Sequence, residues 1–323
     1  MYKTILLLLL FLYTYLALSL ERYKRYRKEK TGDFIVARDG TRLYYEYVEK
    51  SSDTIIFIHG LTDDCRSWGS YMDYYKDQGF SVCSFDICGH GRSEYRTGLK
   101  IQDIVEDLKE MVDRLDLNVY GIVSHSMGSL VATRYLRKYP GECKLCACIA
   151  PVFTKTYFKK HADTLMYAYI VLFYPWLSKR KNKVYYDVPI IDSKSDIDAY
   201  LASKILGAGY TSVDLYFDMK DTVEYKKDLK FVNDHMNLVF VFCENDDLTN
   251  SDIITRELIK EMGSSMYTLK SRDHHILIYF DVLTQLINKH LLTFSKAGDL
   301  KKSVDYFPRM SQRHGYCMLK NDS

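Results

Sequence analysis

The pentapeptide SHSMG, residues 124–128, places a serine where an apolar run gives way to a helical pattern. A serine at such a strand-to-helix corner can act as the nucleophile of acyl transfer, because the sharp turn exposes its hydroxyl at the end of the sheet. The usual pattern is G-x-S-x-G, and here Ser124 takes the place of the first glycine while Gly128 keeps the second. Ser126 is therefore a candidate nucleophile. The alternative is a helix N-cap, a position in which serine is common.

A serine nucleophile needs a neighbouring imidazole, a carboxylate that orients the imidazole, and two N–H groups that hold the oxyanion. The tripeptide His59-Gly60-Leu61 follows the apolar run TIIFIH, and its glycine allows the backbone to turn. We expect the N–H groups of Leu61 and Met127 to point at the same spot and form the oxyanion hole. The side chain of His59 is interpreted as a structural hydrogen-bonding group rather than as the base.

The carboxylate is expected after the apolar run NLVFVFC, where the segment CENDDLT holds three acids in one turn. Asp246 has the best offset from the end of the predicted strand. Asp247 is the main alternative, and Glu244 is the third candidate. Acids in such turns are commonly only solvated, so this segment indicates a catalytic carboxylate only in combination with the other parts.

The imidazole is expected after the last apolar run, SMYTLK, where SRDHHIL contains His274 and His275. Only one of them can be the base, and His274 is favoured because it lies in the loop just before the closing helical pattern. The four candidates follow the order oxyanion loop, serine, aspartate, histidine, each at the C-terminal end of a predicted strand. This agreement outweighs the alternative interpretation of each single motif.

The elements that must position these residues are short apolar runs that alternate with amphipathic helical patterns. Nearly continuous apolar runs are typical of parallel strands buried on both faces, and patterns with a 3.6-residue period predict helices. We therefore expect an α/β fold with a mostly parallel central sheet and helices on both faces. A hairpin of DFIVA and RLYYEYV precedes the predicted parallel strands, which are residues 54–59, 80–86, 117–123, 144–150, 237–243 and 265–270.

One long interval lacks a strand pattern and interrupts this alternation. It covers residues 151–236 and is rich in Tyr, Phe and Lys. We expect a core made of residues 31–150 and 237–296, with residues 151–236 inserted as a separate cap. Residues 297–323 are polar and are expected to form a loosely held tail.

The first 30 residues differ in character from the rest of the chain. They contain an uncharged run of 16 residues, Ile5–Leu20, followed by the basic segment ERYKRYRKEK. Such a run is either a signal peptide or a membrane anchor. Because basic flanks tend to stay in the cytoplasm, we favour an uncleaved anchor with the remaining domain on the cytoplasmic side. The alternative is cleavage near Ala17–Ser19, which would give a secreted or lumenal product.

Charge and cysteine usage exclude several other classes of function. The first 30 residues hold seven Lys or Arg and two Glu, which gives them a charge of +5. Because the net charge of the whole chain is +3, the remaining residues carry −2. No nucleic-acid surface is expected on such a remainder. The C-x-x-C-x-C at Cys143 to Cys148 lies in a predicted strand with no further His or Cys cluster nearby. We therefore expect no metal site and no cofactor.

Four motifs together resemble the α/β-hydrolase superfamily, most closely its monoacylglycerol lipase and lysophospholipase branch, the serine aminopeptidase S33-like group. The resemblance spans roughly residues 33 to 295. DICGHGRS is similar to the family's D-x-R-G-H-G-x-S, and HHILIYFD is similar to its H-E-I-L-x-E-x-D near the catalytic histidine. Cys88 and Ser124 are two departures from the family pattern. The motifs are SHSMG (124–128), HGLTDD (59–64), DICGHGRS (86–93) and HHILIYFD (274–281).

The resemblance implies a serine hydrolase that cleaves a fatty acyl ester of a monoacylglycerol or lysophospholipid. Ser126 would form the acyl-enzyme, His274 would be the base and Asp246 would orient it, with Leu61 and Met127 at the oxyanion hole. Another acyl hydrolase, such as a thioesterase, carboxylesterase or peptidase, or an acyltransferase would use the same residues. A catalytically silent scaffold is the alternative outside enzymes.

The resemblance also implies that the inserted residues 151–236 form a cap over the active site. In this branch the cap is apolar enough to meet a lipid surface, and the apolar run Thr164–Leu177 fits that role or an acyl-binding wall. A helix packed in the core is the alternative for this run. The expected partners are therefore a lipid ester substrate and a membrane surface. The same resemblance makes His90, within the DICGHGRS turn, structural rather than catalytic.

Overall fold

The computed structural model describes most of the core and isolated residues elsewhere. The described residues are 33–61, 63–94, 96, 98–141, 143–154, 225–244, 246, 248–269 and 280–291, with 10, 13, 14, 215, 218, 219, 319 and 320.

The described strands form one nine-stranded sheet with the order β1-β2-β4-β3-β5-β6-β7-β8-β9. Strands β3 to β8 run parallel, whereas β1, β2 and β9 pair antiparallel at the two ends. This arrangement confirms the predicted mostly parallel α/β sheet. The strands are β1 Asp33–Val36, β2 Arg42–Val48, β3 Asp53–Ile58, β4 Ser81–Phe85, β5 Asn118–His125, β6 Leu145–Ile149, β7 Asn237–Cys243, β8 Ser265–Leu269 and β9 Leu319–Lys320.

Helices cover both faces of the sheet, which explains the near-continuous apolar runs of its strands. The helices are α1 Gly69–Asp77, α2 Ile101–Arg114, α3 Gly128–Lys138, α4 Tyr225–His235, α5 Ser251–Met262 and α6 Phe280–Leu291. Apolar side chains of α2, α3, α4 and α5 pack on one face, and those of α1 and α6 pack on the other. Successive side chains of β3 point to opposite faces of the sheet. Ile56 and Ile58 pack with α2 to α5 on the first face, and Ile55 and Phe57 pack with α1 and α6 on the second.

Two described parts of the predicted cap are joined to each other, and one of them is bound to the core. The Thr154 hydroxyl donates to the carbonyl of Met219 at 3.3 Å, and the Asp218 carboxylate accepts from the N–H of Ile101 at 2.8 Å. Asp218 thus satisfies an N–H at the start of α2 that has no partner within the helix. The run Thr164–Leu177 lies outside the described residues.

Helix α4, which falls in the last part of the predicted cap, packs against α3. Its Asp228 is buried and accepts hydrogen bonds from Arg137 at 2.7 Å and Arg134 at 3.4 Å. On the same helix, Leu229 and Val232 enter the main core. Residues 225–235 therefore stabilise the helix that follows the candidate nucleophile.

Replacing Asp228 with asparagine is expected to lower the free energy of unfolding by about 2 kcal/mol, because two hydrogen bonds to charged groups lose their anion. Denaturation in urea measures this change. Asp234→Asn is the matched control, since Asp234 is exposed on the same helix and its replacement should have little effect. Equal unfolding midpoints for the two variants would contradict the assignment.

The two chain ends are described only at isolated residues. Of the predicted anchor, residues 10, 13 and 14 are described, and among all described residues no helix is long and apolar enough to span a membrane. In the tail that was expected to be loosely held, Leu319 and Lys320 form β9 and pair with Thr268 and Tyr267 of β8.

Candidate active site

Ser126 lies in the turn between β5 and α3, and its backbone has the left-handed φ of +51°. This conformation is unfavourable for a residue with a Cβ and persists only where the surroundings impose it. The Ser126 N–H donates to the carbonyl of Ile149 at 2.9 Å, so the turn remains tied to the neighbouring strand β6. The serine is therefore held in a strained corner, as a strand-to-helix nucleophile requires.

The corner is tight because Gly128 starts α3 directly on the backbone of β3. A Cβ at Gly128 would lie 2.6 Å from the carbonyl oxygens of both Ile58 and His59. No side chain fits at this distance. The second glycine of the pentapeptide is thus explained by the close packing of the helix on the strand.

Ser124 fits the first glycine position without backbone strain, since its φ is not positive. Its side chain is fully buried, and its hydroxyl donates to the Ala147 carbonyl at 3.0 Å. A buried hydroxyl with such a partner carries little penalty. The departure from G-x-S-x-G therefore leaves the corner geometry intact, and the strain lies at Ser126 itself.

Gly60 lies directly against the nucleophile. A Cβ at Gly60 would come within 2.9 Å of the Ser126 Cβ. The Gly60 carbonyl accepts from the N–H of Asp63 at 3.3 Å and lies 2.8 Å from Nδ1 of His59. Because the peptide is trans, the N–H of Leu61 points away from that carbonyl. The bonds to the Gly60 carbonyl thus fix the peptide between Gly60 and Leu61, and the N–H of Leu61 lies on the opposite side of this peptide from the carbonyl.

The N–H groups of Leu61 and Met127 are the predicted oxyanion donors. Within the part of the chain that the structure describes, neither of them donates a hydrogen bond. Met127 also precedes the first residue of α3, at the positive end of the helix dipole. Met127 directly follows Ser126, and N–H groups without a partner near a nucleophilic serine can stabilise a developing oxyanion.

Gly60→Ala is expected to lower kcat about 100-fold, because the new methyl group must displace Ser126 or the oxyanion loop, and an error of 1 Å has a cost of this order. Esterase kinetics on a purified, folded variant measure the change. Gly121→Ala is the matched control, since a Cβ there makes only ordinary contacts from 3.7 Å. A Gly60→Ala enzyme as active as Gly121→Ala would show that the loop does not approach the serine.

Both ring nitrogens of His59 are engaged with backbone groups. The N–H of Ile87 donates to Nε2 at 3.0 Å, so Nδ1 carries the proton and donates to the Gly60 carbonyl. The imidazole is fully buried. His59 therefore links the oxyanion loop to the segment after β4, which agrees with its interpretation as a structural group.

The DICGHGRS turn is held together by Asp86. Its Oδ1 accepts from the N–H of Cys65 at 2.7 Å and its Oδ2 from the N–H of Arg92 at 2.6 Å. Gly91, with φ of +47°, passes so close that a Cβ would lie 2.1 Å from Oδ2. Burial and the neighbouring His59 lower the pKa of His90 to about 3, so His90 is a neutral, structural residue.

One group of three potential metal ligands lies among the described residues, namely Asp64, Cys65 and Asp86. Both carboxylates already accept hydrogen bonds, Asp64 from Arg66 and Asp86 from backbone N–H groups. Burial and Asp86 raise the pKa of the Cys65 thiol, which keeps it protonated. The cluster is therefore better explained as a hydrogen-bonded support of the oxyanion loop than as a metal site.

The thiols of the C-x-x-C-x-C motif point into the core. Sγ of Cys146 and Sγ of Cys148 are 3.9 Å apart, and both residues are fully buried. Burial raises the pKa of Cys143 to about 12, and its Sγ donates to the Leu145 carbonyl at 3.3 Å. These side chains have the properties of inert core thiols.

Asp246 follows β7 at the same edge of the sheet as Ser126. It is 1% exposed, and its Oδ1 accepts the N–H groups of Leu248 and Thr249, each at 2.8 Å. These two bonds fix the orientation of the carboxyl group. Glu244, by contrast, is exposed, so Asp246 has the buried, oriented environment that a triad acid needs.

His274 and His275 lie outside the described residues, as does Asp247, and the assignments of base and acid stay predictions. Sequence reasoning missed one part of the site, the loop Ile149–Val152, which contacts Ser126 from the end of β6. The only signal for it was an alanine and a proline directly after a buried strand.

Comparison with known proteins gives the family. The sequence profile of the serine aminopeptidase S33 family matches residues 49–277. A bifunctional esterase/perhydrolase of Acinetobacter calcoaceticus is 25% identical over 162 residues, which cover 48% of this chain and 58% of that protein. The probable lysophospholipase BODYGUARD 4 of Arabidopsis thaliana is 26% identical over 140 residues, covering 40% and 32%. The chain thus spans about half the length, or less, of these curated relatives.

Solved structures agree on the fold. An esterase from Exiguobacterium antarcticum superposes with a TM-score of 0.63 at 17% identity, covering 81% of this chain and 99% of that one. A similarity at this identity indicates the fold alone. Since the family profile covers most of the chain and its neighbours share the sheet, the chain belongs to the serine aminopeptidase S33 family of α/β-hydrolases.

Proposed function

We propose that this protein is a serine hydrolase that cleaves carboxylic esters through an acyl-enzyme on Ser126. The observation that carries the proposal is the strained corner at Ser126, with Gly60 against its Cβ and the unbonded N–H of Met127 next to it. A serine that were only a helix cap would need neither the left-handed φ nor the glycine loop. The esterase activity named for a relative supports the same reaction type.

The reaction follows from the assigned roles. The Ser126 hydroxyl attacks the ester carbonyl while the imidazole of His274 takes its proton, and the oxyanion accepts hydrogen bonds from Leu61 and Met127. His274 then gives the proton to the leaving alcohol as the ester C–O bond breaks. A water, deprotonated by His274, then attacks the acyl-enzyme carbonyl; the bond to the Ser126 oxygen breaks, His274 returns the proton to that oxygen, and the acid is released. Asp246 orients the imidazole throughout, and Oδ2 is the oxygen assigned to it because Oδ1 holds the turn.

Within the carboxylic esters, we propose a monoacylglycerol or a lysophospholipid as the substrate. Three features support this choice: the uncharged run Ile5–Leu20, the apolar run Thr164–Leu177, and the similarity to a probable lysophospholipase. The same features support association with a membrane, with the catalytic domain on its cytoplasmic side because of the basic flank. A secreted or lumenal protein is the alternative.

Labelling with a fluorophosphonate probe tests the reaction type. The probe should label the folded protein at one residue, and peptide mass spectrometry should locate the label on Ser126. A folded protein that stays unlabelled and inactive on a short p-nitrophenyl ester would instead be a silent scaffold. A label on another residue would refute the assignment of the nucleophile.

A panel of acyl donors tests the substrate class. We expect kcat/KM to be highest for a monoacylglycerol or a lysophosphatidylcholine, lower for p-nitrophenyl butyrate, and lowest for an acyl thioester or a peptide amide. A preference for the thioester or the peptide would replace the lipid proposal while leaving the nucleophile in place. Alkaline carbonate extraction of membranes and protease protection, both on the full chain, test association and sidedness.

A further inference from the structure

The loop Ile149–Val152 follows β6 and contacts both backbone polar groups of Ser126. The Ser126 N–H donates to the Ile149 carbonyl at 2.9 Å, and the N–H of Val152 donates to the Ser126 carbonyl at 3.1 Å. The nucleophile is thus held on its N-terminal and C-terminal sides by two groups that lie three residues apart.

A second strained residue lies between these two groups. Ala150 has a φ of +42°, and its N–H donates to the carbonyl of Val241 in β7 at 2.8 Å. Among the described non-glycine residues, Ser126, Ala150 and Asp116 have a positive φ, and Asp116 lies in the exposed turn after α2, where aspartate tolerates this backbone. The strain at Ser126 and the strain at Ala150 are therefore adjacent and joined by hydrogen bonds.

The residue types fit this turn. Alanine has the smallest side chain that still restricts the backbone, and Ala150 is buried, with 3% of its surface exposed. Pro151 has a fixed φ and no N–H. The first N–H that follows Ala150 is consequently that of Val152, which is the one directed at Ser126.

We infer that the loop Ile149–Val152 positions the nucleophile, with Ala150 as the residue that sets the turn. The left-handed Ser126 is unfavourable on its own and needs groups that impose it. If Ala150 leaves its positive φ, the Ile149 carbonyl and the Val152 N–H move apart from Ser126. The serine can then relax, and its hydroxyl moves away from the N–H groups of Leu61 and Met127. This inference rests on the proposed function and names a positioning residue for it.

The test uses Ala150→Val in the full chain, because a positive φ is strongly unfavourable for a β-branched residue. We expect kcat and the rate of fluorophosphonate labelling to fall at least about 10-fold, with KM within about two-fold of the wild type. Ala150→Gly is the conservative variant, which keeps the positive φ and should restore both rates. Asp116→Val is the matched control: it imposes the same change on a remote turn and should lower the melting temperature without changing kcat.

Pro151→Gly is the second variant, and it tests the positioning role of the loop if Ala150→Val does not fold. It releases the turn without adding bulk, and kcat should fall about five-fold at unchanged KM. If the wild type is labelled and the folded variants react at the wild-type rate, the positioning role is overturned and the proposed function stays intact. A wild type that is not labelled at all would overturn both.

Discussion

Ser126→Ala is expected to lower kcat for ester hydrolysis by about 10⁶-fold, the scale seen when a serine nucleophile is removed from a complete triad. The alanine lacks the oxygen that forms the acyl-enzyme, whereas the corner should keep its shape. Labelling by the fluorophosphonate should disappear completely. Stopped assays with high enzyme concentration on p-nitrophenyl butyrate measure the residual rate.

Ser124→Ala is the matched control for this variant, because the same chemical change is made two residues earlier in the same motif. Its hydroxyl donates only to groups of the core, chiefly the Ala147 carbonyl. Loss of that bond should lower the free energy of unfolding by about 1 kcal/mol and leave kcat within about two-fold. If Ser124→Ala lost activity and Ser126→Ala kept it, the assigned nucleophile would be wrong.

Asp246→Asn is expected to lower kcat about 10⁴-fold with the fold retained. Asparagine can still accept the N–H groups of Leu248 and Thr249 through its oxygen, so the turn after β7 should survive. Its amide then presents N–H donors where the imidazole needs an acceptor, which favours the wrong tautomer. Steady-state kinetics and thermal unfolding separate the catalytic effect from any loss of stability.

The neighbouring acids provide the controls for Asp246. Asp247→Asn makes the same change one residue later, and Glu244→Gln neutralises an exposed acid in the same turn. Both variants should keep kcat within a few-fold of the wild type. A large loss in Asp247→Asn together with an active Asp246→Asn would transfer the carboxylate role to Asp247.

The sheet and its flanking helices follow from local patterns. Each predicted parallel strand is observed within one or two residues, because buried strands must be apolar on both faces and that requirement is visible in sequence. The corner at Ser126 was predictable for the same reason, since a strand, a serine and a small-residue helix start are contiguous. The pairing of Leu319 with Thr268 was not predictable, because two residues contain no period.

The role of Ser124 shows where local reasoning fails. In the sequence, Ser124 is visible only as a departure from the first glycine of G-x-S-x-G. The structure instead shows its hydroxyl donating to Ala147, 23 residues away, so the extra atoms lie in the core. The packing of α4 on α3 through Asp228 is of the same kind, because the partner arginines are 91 and 94 residues distant along the chain.

The sequence by itself determined the family, the order of the strands' apolar runs and the candidates for nucleophile, acid and base, because these depend on contiguous patterns and fixed motif spacing. Only the tertiary structure decided that Gly60 faces the Cβ of Ser126 and that the loop Ile149–Val152 holds the serine's backbone. The physical reason is that hydrogen bonds and close contacts between separate strands depend on how the sheet aligns their ends. That alignment cannot be derived from the composition of the chain or from the spacing of its motifs.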